Sequence, residues 1–337
     1  MTRISEAVRS RSGLIHDYLE SGSSRFERAV LALTAIRAVH FAAAIQIVGA
    51  LLFVCMMGRL PALAADGQRR GLLRTSAVLA VIAFASALVW LLGQAADMTG
   101  HTLRQAWNDG AVGLLLFKTH AGVVWWARFG IGAAIVIGVW ALVCRRGLPS
   151  EATLFAALLL AIANFVSCAW LSHAASDGGP YGSLHLAAQA LHMFAVSLWL
   201  GGLIPLAALV SRALCRRDRR VAAAVQAISI SFGNVALLAV GIIVISGISI
   251  AALVVRDATD LTTGNYAALL ALKLVLFGFM LVVAGVNRFR LVPRLADSVD
   301  GSAVVRLWWS LLAEAILGLA VLIIAGALGI ASPGADE

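Results

Sequence analysis

LHLAAQALHMFAVSLWLGGLIPLAALVS, residues 184–211, contains no Asp, Glu, Lys or Arg. About 20 apolar residues in an α-helix cross the hydrocarbon core of a bilayer, so this stretch reads as a membrane span. Working outward from it, apolar runs of similar length recur at 30–57, 72–95, 122–144, 152–172, 224–254, 267–287 and 307–330. The chain is therefore read as an all-α polytopic membrane protein with eight transmembrane helices. Composition agrees: 61% of residues are hydrophobic and 13% charged, against roughly 25% charged in a soluble domain. The connection 96–121 is long, and Thr102 to Phe117 is expected to lie as a short helix at the surface. Pro61, Pro149, Pro180 and Pro293 are placed in connections, as helix breakers.

The net charge is +9, and only Lys118 and Lys273 are lysines; the other basic residues are arginines. They sit in short loops between apolar runs, with no basic stripe interleaved with aromatics, so the charge sets topology and no nucleic-acid partner is expected. The odd connections hold fifteen basic residues, among them Arg69, Arg70 and Arg74 after span one and Arg216, Arg217, Arg219 and Arg220 after span five. The even connections hold only Arg104, Lys118 and Arg256. Basic loops stay in the cytoplasm, so both termini are expected in the periplasm of a bacterial inner membrane. Five arginines within residues 1–28 oppose that orientation. Those residues show no signal-peptide pattern and read as an N-terminal tail. Residues 331–337 form a C-terminal tail.

An internal repeat divides the membrane domain, residues 29–330, into halves of about 29–175 and 184–330. Span one reads RAVHFAAAIQIVG from Arg37, and span five reads QALHMFAVSLWLG from Gln189. His40 aligns with His192 and Gly49 with Gly201. Farther on, LLLFK ending at Lys118 is like LLALK ending at Lys273. Two four-span halves of one orientation imply parallel repeats about an axis along the membrane normal; chance likeness between apolar helices is the alternative.

An ionisable residue inside a span is costly and marks a candidate site. His40 and His192 lie roughly 10–15 Å into their spans at 1.5 Å per residue. His101 and His120 flank the second connection, and His173 and His185 the fourth, all on the side read as periplasmic. His185 and His192 are two helical turns apart and share a face. Met193 adjoins His192, and Met98 precedes His101. Imidazole with thioether suits copper, so these eight residues are the candidate metal ligands, with hydrogen-bonded interfacial histidines as the plainer account of any single one. Cys55, Met56 and Met57 are a candidate Cu(I) exit or simple apolar packing. Cys168 lies off the helical face of His173 and is not paired with it. Glu314 and Lys273 are candidates for a proton or ion relay, or an ion-paired carboxylate and a snorkelling lysine. Trp199, Gly201, Gly202, Gly241 and Gly247 read as packing residues, and Trp125, Trp126, Trp308 and Trp309 as an interfacial belt.

LHMFAVSLWLGGLIPL at 191–206, SHAA at 172–175, GNYAALLALKL at 264–274 and VNRFRLVPRL at 286–295 resemble the copper resistance protein D (CopD/PcoD) family, as does HFAAAIQIVGALLF at 40–53. The resemblance covers nearly all of the chain after residue 28. It implies an eight-span inner-membrane protein of copper homeostasis, moving copper from periplasm to cytoplasm beside a periplasmic copper-binding partner of the CopC type. No such domain precedes span one, so a separate donor is expected. Three readings follow: a copper transporter with His40 and His192 gripping one ion between the halves; a cupric reductase holding b-type haem on the same two histidines; or a sensor or scaffold with structural histidines.

Overall fold

The computed structural model describes residues 31–58, 66–100, 102–145, 147, 149–172, 179–216, 219–254, 264–295 and 301–328. These residues form helices and turns, with no strand among them. The N-terminal tail, the C-terminal tail, Pro61, His101 and His173 lie outside the described residues. In chain order the helices are α1 (Leu31–Met57), α2 (Asp66–Thr99), α3 (Leu103–Asn108), α4 (Ala111–Lys118), α5 (His120–Cys144) and α6 (Glu151–Val166). Then come α7 (Gly179–Arg216), α8 (Arg219–Val254), α9 (Gly264–Val286) and α10 (Ser302–Leu328). Eight of these, all but α3 and α4, are long and apolar enough to cross a membrane, α6 together with the 3₁₀ turn Ser167–Leu171 and α9 together with the turns that follow it.

The spans fall where the apolar runs predict, but several helices are longer. α7 has 38 residues and α8 has 36. At 1.5 Å per residue each exceeds a hydrocarbon core of roughly 30 Å by a wide margin. Hydropathy reports where lipid begins; hydrogen bonding decides where the helix ends, and the polar flanks of α7 and α8 stay helical. Pro180 accordingly lies in the first turn of α7, not in a connection, where its missing N–H has no helical partner to lose. Pro205, inside α7, is accommodated mid-helix.

The expected surface helix is two. Thr102 caps α3 in a reciprocal box with Gln105. Gly110 adopts φ 75°, left-handed, and starts α4 in a new direction. Thr119 then caps α5 by accepting from the Gly122 amide at 3.2 Å.

Helix α2 packs on α5 and α5 on α6; α7 packs on α8 and α10, and α10 on α9. The most buried spans are α1 and α7, with 61% and 72% of their apolar windows inside the protein against 6% for α9. They meet at glycine. A Cβ on Gly49 would lie 1.7 Å from the Gly201 carbonyl oxygen, and one on Gly201 would lie 2.4 Å from that of Ile45. Only hydrogen fits there, so the two backbones touch. Gly202 gives room to the Phe232 ring of α8. Gly241 has nothing within 4 Å of its would-be Cβ, so it makes no close approach. Trp126 and Trp309 are exposed on the outer surface, but Trp125 is fully buried and donates to Gln94 Oε1 at 2.8 Å; it belongs to the core and not to a belt.

Candidate functional site

His40 is 1% exposed and turned into the first four spans. Its Nδ1 lies 3.0 Å from the Ala83 carbonyl and 3.1 Å from Ser86 Oγ, both on α2. Its Nε2 lies 2.8 Å from Arg128 Nη2 on α5. A guanidinium can only donate, so Nε2 accepts and Nδ1 carries the proton.

Arg128 is the centre of this cluster, 3% exposed. Its Nη1 is 2.8 Å from each of three acceptors: the Asn164 carbonyl, Ser167 Oγ and Cys168 Sγ. None of its hydrogen-bond partners is a carboxylate. The charge is instead spread over aromatic faces, with the guanidinium carbon 5.5 Å from the Trp125 ring centroid and 5.8 Å from that of Trp90. Arg37 lies over the same Trp90 ring at 5.4 Å. The arginines are thus not confined to the loops. Arg128 stands alone in the run VVWWARFGIG, and the cost of a charge inside a span was the signal that could have singled it out.

A cavity of about 20 Å³, enough for one water molecule, adjoins the cluster and is walled by His40, Arg128 and Asn164 together with apolar side chains of α1, α2, α5 and α6. Asn164 Oδ1 is buried without a hydrogen-bond partner, as is Arg128 Nε.

The second half carries a related arrangement. His192 on α7 has Nδ1 3.1 Å from Ser246 Oγ on α8. Gly247 leaves room for the ring, its would-be Cβ 3.7 Å away. Lys273 on α9 is within electrostatic reach of the imidazole. Each half therefore sets a histidine of its first span against a serine of its second, with a basic residue of its third span nearby, bonded to the ring in the first half. The two histidines face their own halves and share no partner. In this structure His40 is held by partners on α2 and α5 and His192 by Ser246 on α8, each within its own half. Nothing in this arrangement supports a haem with His40 and His192 as its axial pair.

Among the described residues no group of three His, Cys, Asp or Glu side chains converges as a metal site. His120 and Met98 are exposed, and His185 and Met193 are buried. Cys55 and Met56 are half-buried and Met57 is fully buried in the core, all three in the last turn of α1. All four cysteines are free thiols.

Glu314 is 2% exposed and pairs with no cation among the described residues. Trp199 Nε1 donates to its Oε1 and Asn287 Nδ2 to its Oε2, each at 2.9 Å. Asn287 opens a π-helical turn (Asn287–Leu291) at the end of α9, and its Oδ1 is buried without a partner. Such turns recur at functional positions.

Two family models match the chain: copper resistance protein D-like, N-terminal domain, over residues 27–183, and copper resistance protein D over 226–328. Inner membrane protein YebZ of Escherichia coli is 30% identical over 73% of this chain and 83% of its own length. Copper resistance protein D of Pseudomonas syringae is 30% identical over 55% of this chain and 59% of its own. Copper transport protein CutJ of Bacillus subtilis is 26% identical over 65% of this chain but only 38% of its own. No solved structure matches the chain. Eight spans, a buried His40 and a half-buried His192 at aligned positions and these matches lead to one assignment: the chain belongs to the copper resistance protein D family.

Proposed function

We propose that this protein handles copper in a bacterial inner membrane, moving it from periplasm to cytoplasm by way of histidines set inside two parallel helical halves. The observation that carries the reading is the repeated set of histidine, serine and base: His40, Ser86 and Arg128 in one half, His192, Ser246 and Lys273 in the other. Imidazole is a ligand for copper in either oxidation state. Placing it twice inside a span, at matching positions with a basic residue nearby, is costly for a purely structural purpose. The family match and the names of two relatives, one a resistance protein and one a transport protein, support copper as the cargo.

In this reading each half engages the ion separately. Charge near each histidine keeps binding weak enough for release, as conduction demands. His101, His120, His173 and His185, with Met98, collect the ion outside, delivered by a periplasmic CopC-type partner. Met193 supports His192. Cys55, Met56 and Met57 lie at the cytoplasmic end of α1 as the exit. Glu314 exchanges protons in the second half. The termini face the periplasm.

The test is copper accumulation in cells expressing the wild-type chain, His40→Ala, His192→Ala or the double variant, at matched membrane levels. Reduced accumulation in each single variant is expected. Accumulation equal to wild type in the double variant overturns the path.

A further inference from the structure

Four acceptors converge on the Arg128 guanidinium: an imidazole nitrogen, a thiol sulfur, a hydroxyl and a carbonyl, each at 2.8 Å. This is the environment of a bound cation, and the bound cation is the protein's own side chain. Two of the four, His40 Nε2 and Cys168 Sγ, are ligands that suit Cu(I), whereas a guanidinium has no special need of sulfur. Both belong to residues at least nine-tenths buried, His40 1% and Cys168 3% exposed. Beside the arginine lies a small space into which it can begin to shift. The cavity of about 20 Å³ is walled by Arg128 itself and by Asn164, whose Oδ1 is buried with nothing bonded to it. The cavity takes about one water and not a whole guanidinium, so the shift is a small one toward Asn164: it turns a donor onto the acceptor that Asn164 leaves idle and draws the guanidinium off the sulfur and the imidazole together.

We propose that His40 Nε2 and Cys168 Sγ form a Cu(I) site that Arg128 occupies at rest and vacates toward Asn164 when the metal arrives. The exchange is one cation for another and moves no electrons. Hydrogen bonds from Arg128 to Nε2 and Sγ break, Cu–N and Cu–S bonds form, and the thiol proton passes to solvent. Arg128 stays protonated throughout. The arginine thereby weakens copper binding by competition, and binding that is not too tight lets an ion move on. The second half offers no sulfur among the described partners of His192, so the device belongs to the first half alone.

The inference rests on the copper-handling reading, but its test needs no transport. The chain is purified in detergent with Cys55, Cys144 and Cys215 changed to Ser, leaving Cys168. It is titrated with Cu(I) against a chromogenic Cu(I) chelator, and the loaded protein is examined by X-ray absorption. A sulfur and a nitrogen scatterer are expected, the sulfur vanishing in Cys168→Ser. Arg128→Gln removes the competitor and is expected to tighten Cu(I) binding about tenfold or more. Unchanged or weaker binding by a folded Arg128→Gln overturns the proposal, as does Cu(I) without a sulfur neighbour. If Arg128→Gln fails to fold, the absorption comparison of Cys168 with Cys168→Ser in the Arg128 background decides alone. Cu(I) held by Cys168 in a protein that raises no cellular copper leaves the site standing and defeats the transport reading. Copper accumulation with no Cu(I) on Cys168 does the reverse.

Discussion

Glu314 and Asn287 show how much a single buried atom decides. Both carboxylate oxygens accept one hydrogen bond, while Asn287 keeps an unused Oδ1. Glu314→Gln presents an amide N–H where a carboxylate oxygen stood, and Asn287 answers by turning its own amide so that Oδ1 accepts. Glu314→Leu leaves the Trp199 and Asn287 donors buried without an acceptor, at about 1–3 kcal/mol each. Thermal unfolding in detergent is expected to show a small shift for Glu314→Gln and a loss of several degrees for Glu314→Leu. Equal losses contradict the network. At this scale the sequence was informative about which residues are ionisable within spans, namely His40, His192, Lys273 and Glu314. It was silent on partners. Arg128, Cys168, Ser86 and Asn164 come from three different helices, and only the packed structure brings them to His40. Periodicity along one helix carries no information about which face of another it meets.

At the level of helices, α1 and α7 are joined by backbone contact at Gly49 and Gly201. The glycines were legible as small residues at aligned positions; that they face each other was not. Any side chain at either position meets a carbonyl rather than a movable side chain. Gly201→Ala and Gly49→Ala are therefore expected to destabilise severely, by about 3 kcal/mol or more if the helices must part. Gly241→Ala, open to its surroundings, is the control and is expected to change melting little. A wild-type melting temperature for Gly201→Ala contradicts the close crossing. Helix ends were the least legible feature. α2, α7 and α8 run past their apolar windows because polar residues sustain helical hydrogen bonds in water or headgroups as readily as they end them. The split between α3 and α4 was visible only as Asp109-Gly110, a pair that favours a turn.

For the molecule as a whole, loop charge and cysteine exposure combine in one prediction about orientation. Cys144 ends α5 and Cys215 lies in the last turn of α7, both exposed and both beside arginine-rich connections. If those connections face the cytoplasm, a membrane-impermeant maleimide labels Cys144 and Cys215 only after cells are permeabilised. Labelling in intact cells inverts the topology and with it the proposed direction of transport. Fold class was legible because charge-poor runs of span length have few other readings; the functional core was half legible, since the aligned histidines were found but were expected to share one ion. In the structure each is hydrogen-bonded within its own half, and the proposal gives each its own ion contact. The most direct measurement of that claim is the copper content of the purified, copper-loaded protein by mass spectrometry, in wild type, His40→Ala, His192→Ala and the double variant. The account predicts that each single variant loses its own share of bound copper and that the double variant loses both. Full copper in the double variant, or loss of all copper in either single variant, contradicts it.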